Sequence, residues 1–376
     1  MLADLNQSSS DFEELRTLSH QFGRILSNNQ NFVFITIIDA VDIDLLRNWV
    51  YYLVTNNYTS FIVVCLGHRA YFDSHRALNH DFNRLLINQS VHNHITLKHH
   101  VVLAPDSWIL SDNKTEQSNF LKLDYIYYTA HRMKVYRDLI KSLFTDSRQW
   151  RSEICTHFPS RYLCRLKSGG VRKLKIVFSD TDVVILQPDF HTHVEAQFTE
   201  NHRLSMYLSA DSNTKEINGG FYICRPCQFT SQLFDRSLRL FADQGAAGQR
   251  DQSLLNYALM KHQMNRVRHK RQSEIQRQRQ LESTIITDQG EVHYAVANTT
   301  EFACGWDIKC LRGKCWLIQQ EQLSGRLPLM FHATHVMGNA NKIKMLKRLG
   351  FWHPSVIGRT LADKKLLSIE QTDQIL

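Results

Sequence analysis

The amino-acid sequence predicts an α/β fold built on a mostly parallel β-sheet. Short and almost wholly apolar strand candidates alternate with segments whose apolar residues recur at helical spacing, and an acidic pair directly follows one of these strands. Strands that read as continuous apolar runs are typical of sheets covered by helices on both faces. In such sheets the ligand-binding and catalytic residues lie at the carboxyl ends of the strands.

The first predicted unit is strand–helix–strand. Residues 31–38 (NFVFITII) and 60–66 (SFIVVCL) predict two buried strands. The segment between them predicts a helix, because its apolar residues recur every three or four positions. These residues are Leu45, Leu46, Trp49, Val50, Leu53 and Val54. The unit is the start of a βαβ pattern, in which two parallel strands are joined by a helix.

Later elements continue the alternation. Met133, Tyr136, Leu139 and Ile140 predict a helix, and residues 174–178 (LKIVF) predict the next strand. A glycine pair at 219–220 precedes a strand at 221–223, and a further helix carries Asp251 in its first turn. The last predicted helix begins near Lys342 and stops at Gly350.

Composition bounds the class of protein. The 376 residues are 43% hydrophobic and 22% charged, which excludes collagen, a disulfide miniprotein and a mostly disordered chain. Only 15 Gly and 6 Pro are present, which argues against long linkers. We therefore predict one domain over residues 26–358, a polar N-terminal segment at 1–25 and a C-terminal tail at 359–376.

The charge balance favours an anionic partner. Lys plus Arg exceed Asp plus Glu by 45 to 36, a net charge of +9, which suits nucleic acid, an anionic membrane surface or a phosphate-bearing small molecule. The basic run at 261–280 is predicted as a solvated helix face, with a patch for an acidic acceptor or nucleic acid as the alternative. Neither a transmembrane segment nor a signal peptide is visible in this sequence.

An acidic pair gives the strongest chemical signal. Asp180 and Asp182 directly follow an apolar strand in the run VFSDTDVV. Residues two apart in an extended chain point to the same side, so both carboxylates would face one divalent cation. Oxygen ligands select Mg²⁺ or Mn²⁺, which would bridge the acids to phosphate oxygens. A pair of ordinary turn acids is the alternative interpretation.

A second signal lies near the C-terminus. His332 is followed by Gly338 and then by Lys342 at the start of a helix. An imidazole ligand, a close backbone approach and a point charge are the parts that a diphosphate needs. A core histidine and a surface lysine explain the same residues equally well.

A third signal combines glycines with an acid–amide pair. Asn218, Gly219 and Gly220 would let the backbone approach a ligand closely. Asp251 and Gln252 stand at a helix start, where their side chains would orient the hydroxyl groups of a sugar. A β-turn and an ordinary helix start are the alternative.

In chain order, these motifs resemble the nucleotide-diphospho-sugar transferase domain that is grouped with glycosyltransferase family 77. The resemblance extends over residues 30–352. Its motifs read here as Asn48-Trp49, Lys134, Asp180-Thr181-Asp182 with the following Val183 to Leu186, Asn218-Gly219-Gly220-Phe221, Asp251-Gln252 with Asn256, and His332-Ala333 with Gly338 and Lys342.

The resemblance implies a fold and an activity. The fold is GT-A-like (Rossmann-like), a mixed, mostly parallel sheet flanked by helices in a single domain. The activity is metal-dependent transfer of a sugar from a nucleotide-diphosphate donor, with UDP favoured, to a glycan or glycoprotein acceptor with retention of configuration. Mn²⁺, or Mg²⁺, is the implied cofactor, nucleic acid is disfavoured as a partner, and the Golgi or secretory lumen is the implied compartment.

The resemblance also implies roles for individual residues. Asp180 and Asp182 would hold the metal and the nucleotide ribose, and His332 would complete the metal shell. Lys342 would neutralise the departing diphosphate as a catalytic and binding residue. Asp251 and Gln252 would face the donor sugar as further catalytic residues, with Asp251 the nominated nucleophile. The other implied cofactor-binding residues are Lys134, Asn218, Gly219, Gly220 and Gly338.

Two other kinds of function compete with this one. A nucleotidyltransferase also pairs acids with metals, but it needs a third metal carboxylate and a basic N-terminal nucleotide loop, which the sequence does not display. A catalytically silent carbohydrate- or nucleic-acid-binding protein on the same fold is a further alternative. Nucleic-acid binding would weaken steeply with salt, whereas the enzyme would hydrolyse its donor in a Mn²⁺-dependent manner.

The chain departs from the family at Ile185, Gln187, Pro188-Asp189, Thr334 and the long segment with Cys155 and Cys164.

Overall fold

The computed structural model describes most of the predicted domain. The predicted terminal segments and residues 268–280 of the basic run lie outside the described residues, so the domain boundaries stay predictions. The described residues are 31–39, 43–78, 101–103, 123–144, 174–210, 217–244, 251–267, 283–287, 290–297, 300–305, 326–334, 336 and 338–352.

Strands and helices alternate along the chain. The strands are β1 (Phe32–Ile38), β2 (Phe61–Cys65), β3 (Val101–Leu103), β4 (Lys175–Ser179), β5 (Val183–Ile185), β6 (Leu204–Ala210), β7 (Ile217–Cys224), β8 (Ser283–Thr287), β9 (Gly290–Val296), β10 (Phe302–Cys304) and β11 (Met330–His332). The helices are α1 (Ile43–Thr55), α2 (His68–Arg76), α3 (Leu123–Phe144), α4 (Phe190–Glu200), α5 (Gln228–Gln244), α6 (Asp251–Val267) and α7 (Asn339–Arg348).

The main sheet is mixed and mostly parallel, which confirms the predicted fold class. Its strand order is β3-β2-β1-β4-β7-β6-β9-β8. Strands β1 to β4 pair in parallel, as do β6 and β9, whereas β7 runs antiparallel to β4 and β6, and β8 runs antiparallel to β9. The predicted βαβ unit is confirmed as β1-α1-β2, with Phe34 opposite Phe61.

Two apolar clusters cover the two faces of the sheet. Alternate residues of β1 enter different clusters, with Phe34 in one and Ile35 in the other. Helices α1, α4 and α7 contribute to the first cluster, and α3, α5 and α6 contribute to the second. Burial on both faces explains why the strands read as continuous apolar runs.

A small second sheet has the order β10-β11-β5. Strand β11 pairs in parallel with β10 and antiparallel with β5, with His332 opposite Val183. The sheet therefore joins the segment after β4 to a segment near the C-terminal end of the described chain. No described helix has the length and apolar character needed to cross a bilayer.

The glycine pair lies inside a strand, not before one. Gly219 and Gly220 are part of β7, which begins at Ile217. The side chain of Asn256 accepts a hydrogen bond from Ile217 N at 2.7 Å and donates one to its carbonyl at 2.8 Å. This side chain on α6 satisfies both backbone groups of Ile217, so the strand extends further toward its N-terminal end than the pattern of apolar residues predicts.

Candidate active site

The candidate site lies at the edge of the main sheet where β4 ends. Asp180 follows β4, and its backbone N–H donates to the carbonyl of Gly220 at 2.7 Å. Because β7 is antiparallel to β4, the start of β7 lies beside the carboxyl end of β4. This direction brings Asn218, Gly219 and Gly220 to the same edge as the acids.

A tight turn, rather than strand alternation, brings the two acids together. Thr181 and Asp182 form a turn between β4 and β5, in which Val183 N donates to the carbonyl of Asp180 at 3.2 Å. The predicted reason for their convergence, alternation along an extended chain, is therefore wrong. The convergence itself is present, since one oxygen of each acid and one ring nitrogen of His332 lie within 4.8 Å of one another.

Sheet pairing holds the histidine against the acids. The ring Nε2 of His332 lies 3.2 Å from Asp182 Oδ1 and 3.9 Å from Asp180 Oδ2. The backbone N–H of Ala333 donates to the carbonyl of Asp182 at 3.1 Å. Since His332 also lies opposite Val183 in the β5–β11 pair, the register of the small sheet sets the distance between the imidazole and the acids.

The Asn-Trp pair of α1 forms hydrogen bonds with two segments that border the site. Trp49 Nε1 donates to Ser179 Oγ at 3.0 Å, and Ser179 Oγ donates to the carbonyl of Asp180 at 3.0 Å. Asn48 Nδ2 donates to the carbonyl of Phe351 at 3.0 Å. The pair therefore fixes the end of β4 and the segment after α7.

Helix α7 supplies a positively charged side chain, that of Lys342. Gly338 precedes the helix with φ 80°, a conformation that favours glycine. Lys342 follows one turn later and places Nζ 2.9 Å from Asp182 Oδ2. Burial would raise the pKa of the Asp182 carboxyl, but Lys342 and His332 outweigh burial and hold that pKa well below its usual range. Asp182, which is 1% exposed, is therefore ionised at neutral pH.

The two glycines make room for the site side chains. A Cβ built on Gly220 would overlap His332 and a carboxylate oxygen of Asp180, and one on Gly219 would overlap Gln252. Gly220 N also donates to Asn218 Oδ1 at 2.8 Å. Only a residue without a side chain leaves the acids and the imidazole in these positions.

Gly220→Ala is expected to weaken Mn²⁺ binding about 10- to 100-fold, because the added methyl group displaces ligands that neighbouring groups orient. Calorimetric titration with Mn²⁺ measures the affinity, and circular dichroism checks the fold. Cys224→Ala is the control, since Cys224 is a buried residue at the other end of β7. A variant with alanine at 220 that binds Mn²⁺ as wild type does would contradict this account of the glycine.

Arg132 belongs to the site, although none of the sequence motifs includes it. It is 5% exposed on α3, contacts Asp180 Oδ1 through Nη2 and lies 3.7 Å from Asp251 Oδ2 through Nη1. Burial lowers the pKa of Arg132, but the charges of Asp180, then of Tyr136 and Asp251, raise it well above its usual value. The sequence contains a pattern that could have indicated Arg132, because this residue falls on the otherwise apolar helix face that carries Tyr136 one turn later.

Lys134, the residue predicted on this helix, lies elsewhere on its surface. Two positions along an α-helix correspond to about 200° around its axis, so Lys134 and Arg132 lie on opposite sides. Burial, followed by the positive charge of Lys134, lowers the pKa of His131 to about 4. Lys134 therefore lies close enough to His131 for its charge to disfavour the protonated imidazole, and its contact with a nucleotide stays a prediction.

The start of α6 completes the site. Gln252 Oε1 accepts a hydrogen bond from Gly219 N at 3.2 Å, and Gln252 N donates to Asp251 Oδ1 at 2.7 Å. Asp251 N donates to Thr129 Oγ1 at 3.3 Å. The contacts of the site as a whole bring together the predicted residues Asp180, Asp182, Asn218, Gly219, Gly220, Asp251, Gln252, His332 and Lys342, and Gly338 accepts a backbone hydrogen bond from Lys342. The chemical roles of these residues stay predictions.

The acid–imidazole cluster fits a divalent cation. Two carboxylates and an imidazole are ligands that Mn²⁺ accepts, and Mg²⁺ accepts the carboxylates. The space that a Cβ at Gly220 would fill is kept open beside Asp180 and His332. Fold and site together define a class of protein: a GT-A-like domain with a cluster of candidate metal ligands and a lysine near the carboxyl end of β4.

Part of the chain matches a known protein family. Residues 172–346 match the family described as nucleotide-diphospho-sugar transferase, which confirms the resemblance predicted from the sequence motifs. The chain is thus a glycosyltransferase, which confirms the predicted enzyme class. The narrower assignment to glycosyltransferase family 77 stays a prediction. Arg132 and Lys134 lie before the matched segment.

Solved structures give distant likenesses. The galactosyltransferase LgtC in complex with donor and acceptor sugar analogs is 10% identical, with a TM-score of 0.42 and coverage of 91% of this chain and 94% of that chain. An active-site mutant of LgtC is 8% identical, with a TM-score of 0.39 and coverage of 80% and 87%. The bifunctional glycosyltransferase WbbM is 12% identical, with a TM-score of 0.37 and coverage of 81% and 45%. Likenesses this distant carry no argument about chemistry. No curated protein matches the chain in sequence.

Proposed function

We propose that the protein transfers a sugar from a UDP-linked donor, in the presence of Mn²⁺ or Mg²⁺, to a glycan or glycoprotein acceptor. The observation that carries the proposal is the position of Asp182, which is buried between the imidazole of His332 and the ammonium group of Lys342. Asp182 contacts both a candidate metal ligand and a lysine. A cation bound at the cluster and the lysine ammonium group would therefore lie close enough together to contact the same diphosphate.

The acidic cluster is proposed to hold the cation. Asp180, Asp182 and His332 supply three ligand atoms from a turn and a strand end that backbone pairing fixes. A bound divalent cation would neutralise diphosphate oxygens and stabilise the charge that develops as the sugar leaves. Because the sheet and the turn fix the backbone of these residues, their side chains need little reorganisation to bind the cation.

Lys342 is proposed to stabilise the leaving group. Its ammonium group lies 2.9 Å from Asp182 in a half-buried position, and it is held there by the first turn of α7. A partly desolvated ammonium group donates strongly to diphosphate oxygens whose charge increases as the glycosidic bond stretches. Lys342 therefore acts mainly in the transition state.

The start of α6 is proposed to face the donor sugar. The Gln252 carbonyl oxygen is fixed by Gly219 N, and the Asp251 carboxylate lies near the guanidinium of Arg132. These contacts hold the two side chains in defined orientations at the same sheet edge as the cation site. Retention of configuration needs either attack by the acceptor from the face on which the leaving group departs, or a protein nucleophile. Asp251 is our candidate for the nucleophile.

Release of nucleoside diphosphate from a panel of nucleotide sugars tests the proposal. With Mn²⁺ present, UDP-linked donors should give UDP faster than donors linked to other nucleotides, and EDTA should stop the release. Calorimetry with UDP should show affinity that EDTA removes. UDP affinity that is unaltered by EDTA would overturn the proposed cation bridge.

A further inference from the structure

Arg132 connects two carboxylates that come from distant parts of the chain. Its Nη2 donates to Asp180 Oδ1 and, at 3.5 Å, to the hydroxyl oxygen of Tyr136. Its Nη1 lies 3.7 Å from Asp251 Oδ2. One acid follows β4 and belongs to the candidate cation cluster, whereas the other begins α6 beside Gln252. A single buried guanidinium therefore contacts or approaches both halves of the site.

The two oxygens of Asp180 serve different partners. Oδ1 contacts Arg132, while Oδ2 lies on the side of His332, whose Nε2 is 3.9 Å away. The bond to Arg132 thus sets the rotation of the carboxylate and aims Oδ2 at the other candidate ligands. The side chain of Asp180 is 28% exposed, so packing alone leaves it room to rotate.

The planar guanidinium suits this task better than a point charge does. Its nitrogen atoms point in fixed directions, which lets one group address two carboxylates at once. An ammonium group at the same place would supply the charge but not the two directions. The geometry of Arg132 therefore argues for orientation in addition to charge balance.

We propose that Arg132 is a positioning residue that couples the cation site at Asp180 to Asp251. The proposal rests on the proposed function, since it assigns a cation to the acidic cluster and the donor sugar to Asp251. Arg132 orients Asp180 for the cation and restrains Asp251 relative to it. Changes at Arg132 and at Asp251 consequently affect turnover through the same contact.

A titration of the chain with Mn²⁺ alone tests the positioning role. Arg132→Gln is expected to bind Mn²⁺ about 10- to 100-fold more weakly than wild type, the range found when groups that orient metal ligands are removed. Arg132→Lys is expected to keep the charge and most of the thermal stability, yet to recover less than half of the lost affinity on a logarithmic scale. Should Arg132→Gln fail to fold, Arg132→Lys decides the question by direct comparison with wild type: weaker Mn²⁺ binding supports the positioning role, and wild-type affinity would overturn it.

Arg137 provides the matched control on the same helix. It is half-buried and contacts two carboxylates, Asp138 at 2.7 Å and Asp235 at 3.2 Å, in the contact between α3 and α5. Arg137→Gln is expected to lower the melting temperature without changing Mn²⁺ affinity. If Arg132→Gln shows the same pattern, with lower stability and unchanged Mn²⁺ affinity, Arg132 is only structural and the inference is wrong.

The coupling to Asp251 is tested by a double-mutant cycle. Arg132→Gln and Asp251→Asn should each lower kcat, and together they should lower kcat by less than the product of the two effects. Effects that multiply would overturn the coupling. Wild-type protein that binds Mn²⁺ but releases no nucleotide from any donor would contradict the proposed function alone. Wild-type protein that binds no Mn²⁺ would contradict both.

Discussion

Asp182→Asn is expected to abolish cation-dependent nucleotide binding and donor turnover. The asparagine has nearly the same shape, so the change removes the negative charge while the turn between β4 and β5 keeps its backbone bonds. The side chain is buried, with His332 on one oxygen and Lys342 on the other. Loss of the charge removes a metal ligand and also the anion that Lys342 faces. We expect the affinity for UDP with Mn²⁺ to fall more than about 100-fold, beyond the effect of removing a group that only orients a ligand.

Calorimetry with UDP, with and without Mn²⁺, measures this loss. Asp189→Asn is the control, because Asp189 is half-exposed, precedes α4 and contacts Arg326. It should change neither affinity nor turnover. Turnover that survives in Asp182→Asn would remove the acidic pair from the mechanism.

Lys342→Ala is expected to lower kcat by about 100- to 1000-fold, the effect of losing one preorganised donor to a developing negative charge. Donor affinity should fall much less, because the ammonium group acts mainly while the diphosphate leaves. Steady-state kinetics on the preferred nucleotide sugar separate kcat from KM, and calorimetry with UDP gives the affinity directly.

Lys344 supplies the control for this change. It lies two residues later on α7 with an exposed side chain, so Lys344→Ala removes the same charge from the same helix away from Asp182. Its kcat should match that of wild type. An unchanged kcat in Lys342→Ala would refute the leaving-group role.

Local patterns were sufficient to predict the main elements of the fold. Strand β1 is buried on both faces, so its apolar run was visible in the sequence, and the spacing of Leu45, Trp49 and Leu53 predicted α1. The position of Asp180 at a strand end followed from the same apolar pattern. These features depend on neighbours in the sequence, which periodicity can reveal.

The remaining features depend on contacts between distant segments. The direction of β7 places Gly220 beside Asp180, and no local pattern distinguishes an antiparallel strand from a parallel one here. The choice between Arg132 and Lys134 requires the rotation of α3 about its axis, which packing against the sheet determines. The turn at Asp182 depends on the pairing of β5 with β11, whose residues lie far apart in the sequence.

The pairing of β11 with β5 has a consequence for biosynthesis. During translation Asp180 and Asp182 leave the ribosome well before His332 and Lys342, so a nascent chain carries the acids without the imidazole or the ammonium group that surround Asp182 in the finished fold. Until β11 and α7 dock, Arg132 can compensate the charge of Asp180, but Asp182 lacks both groups that contact its carboxylate in the finished fold. A proteolytic fragment that ends before β11 should accordingly be inactive, and a peptide spanning β11 and α7 is the natural piece with which to attempt its complementation.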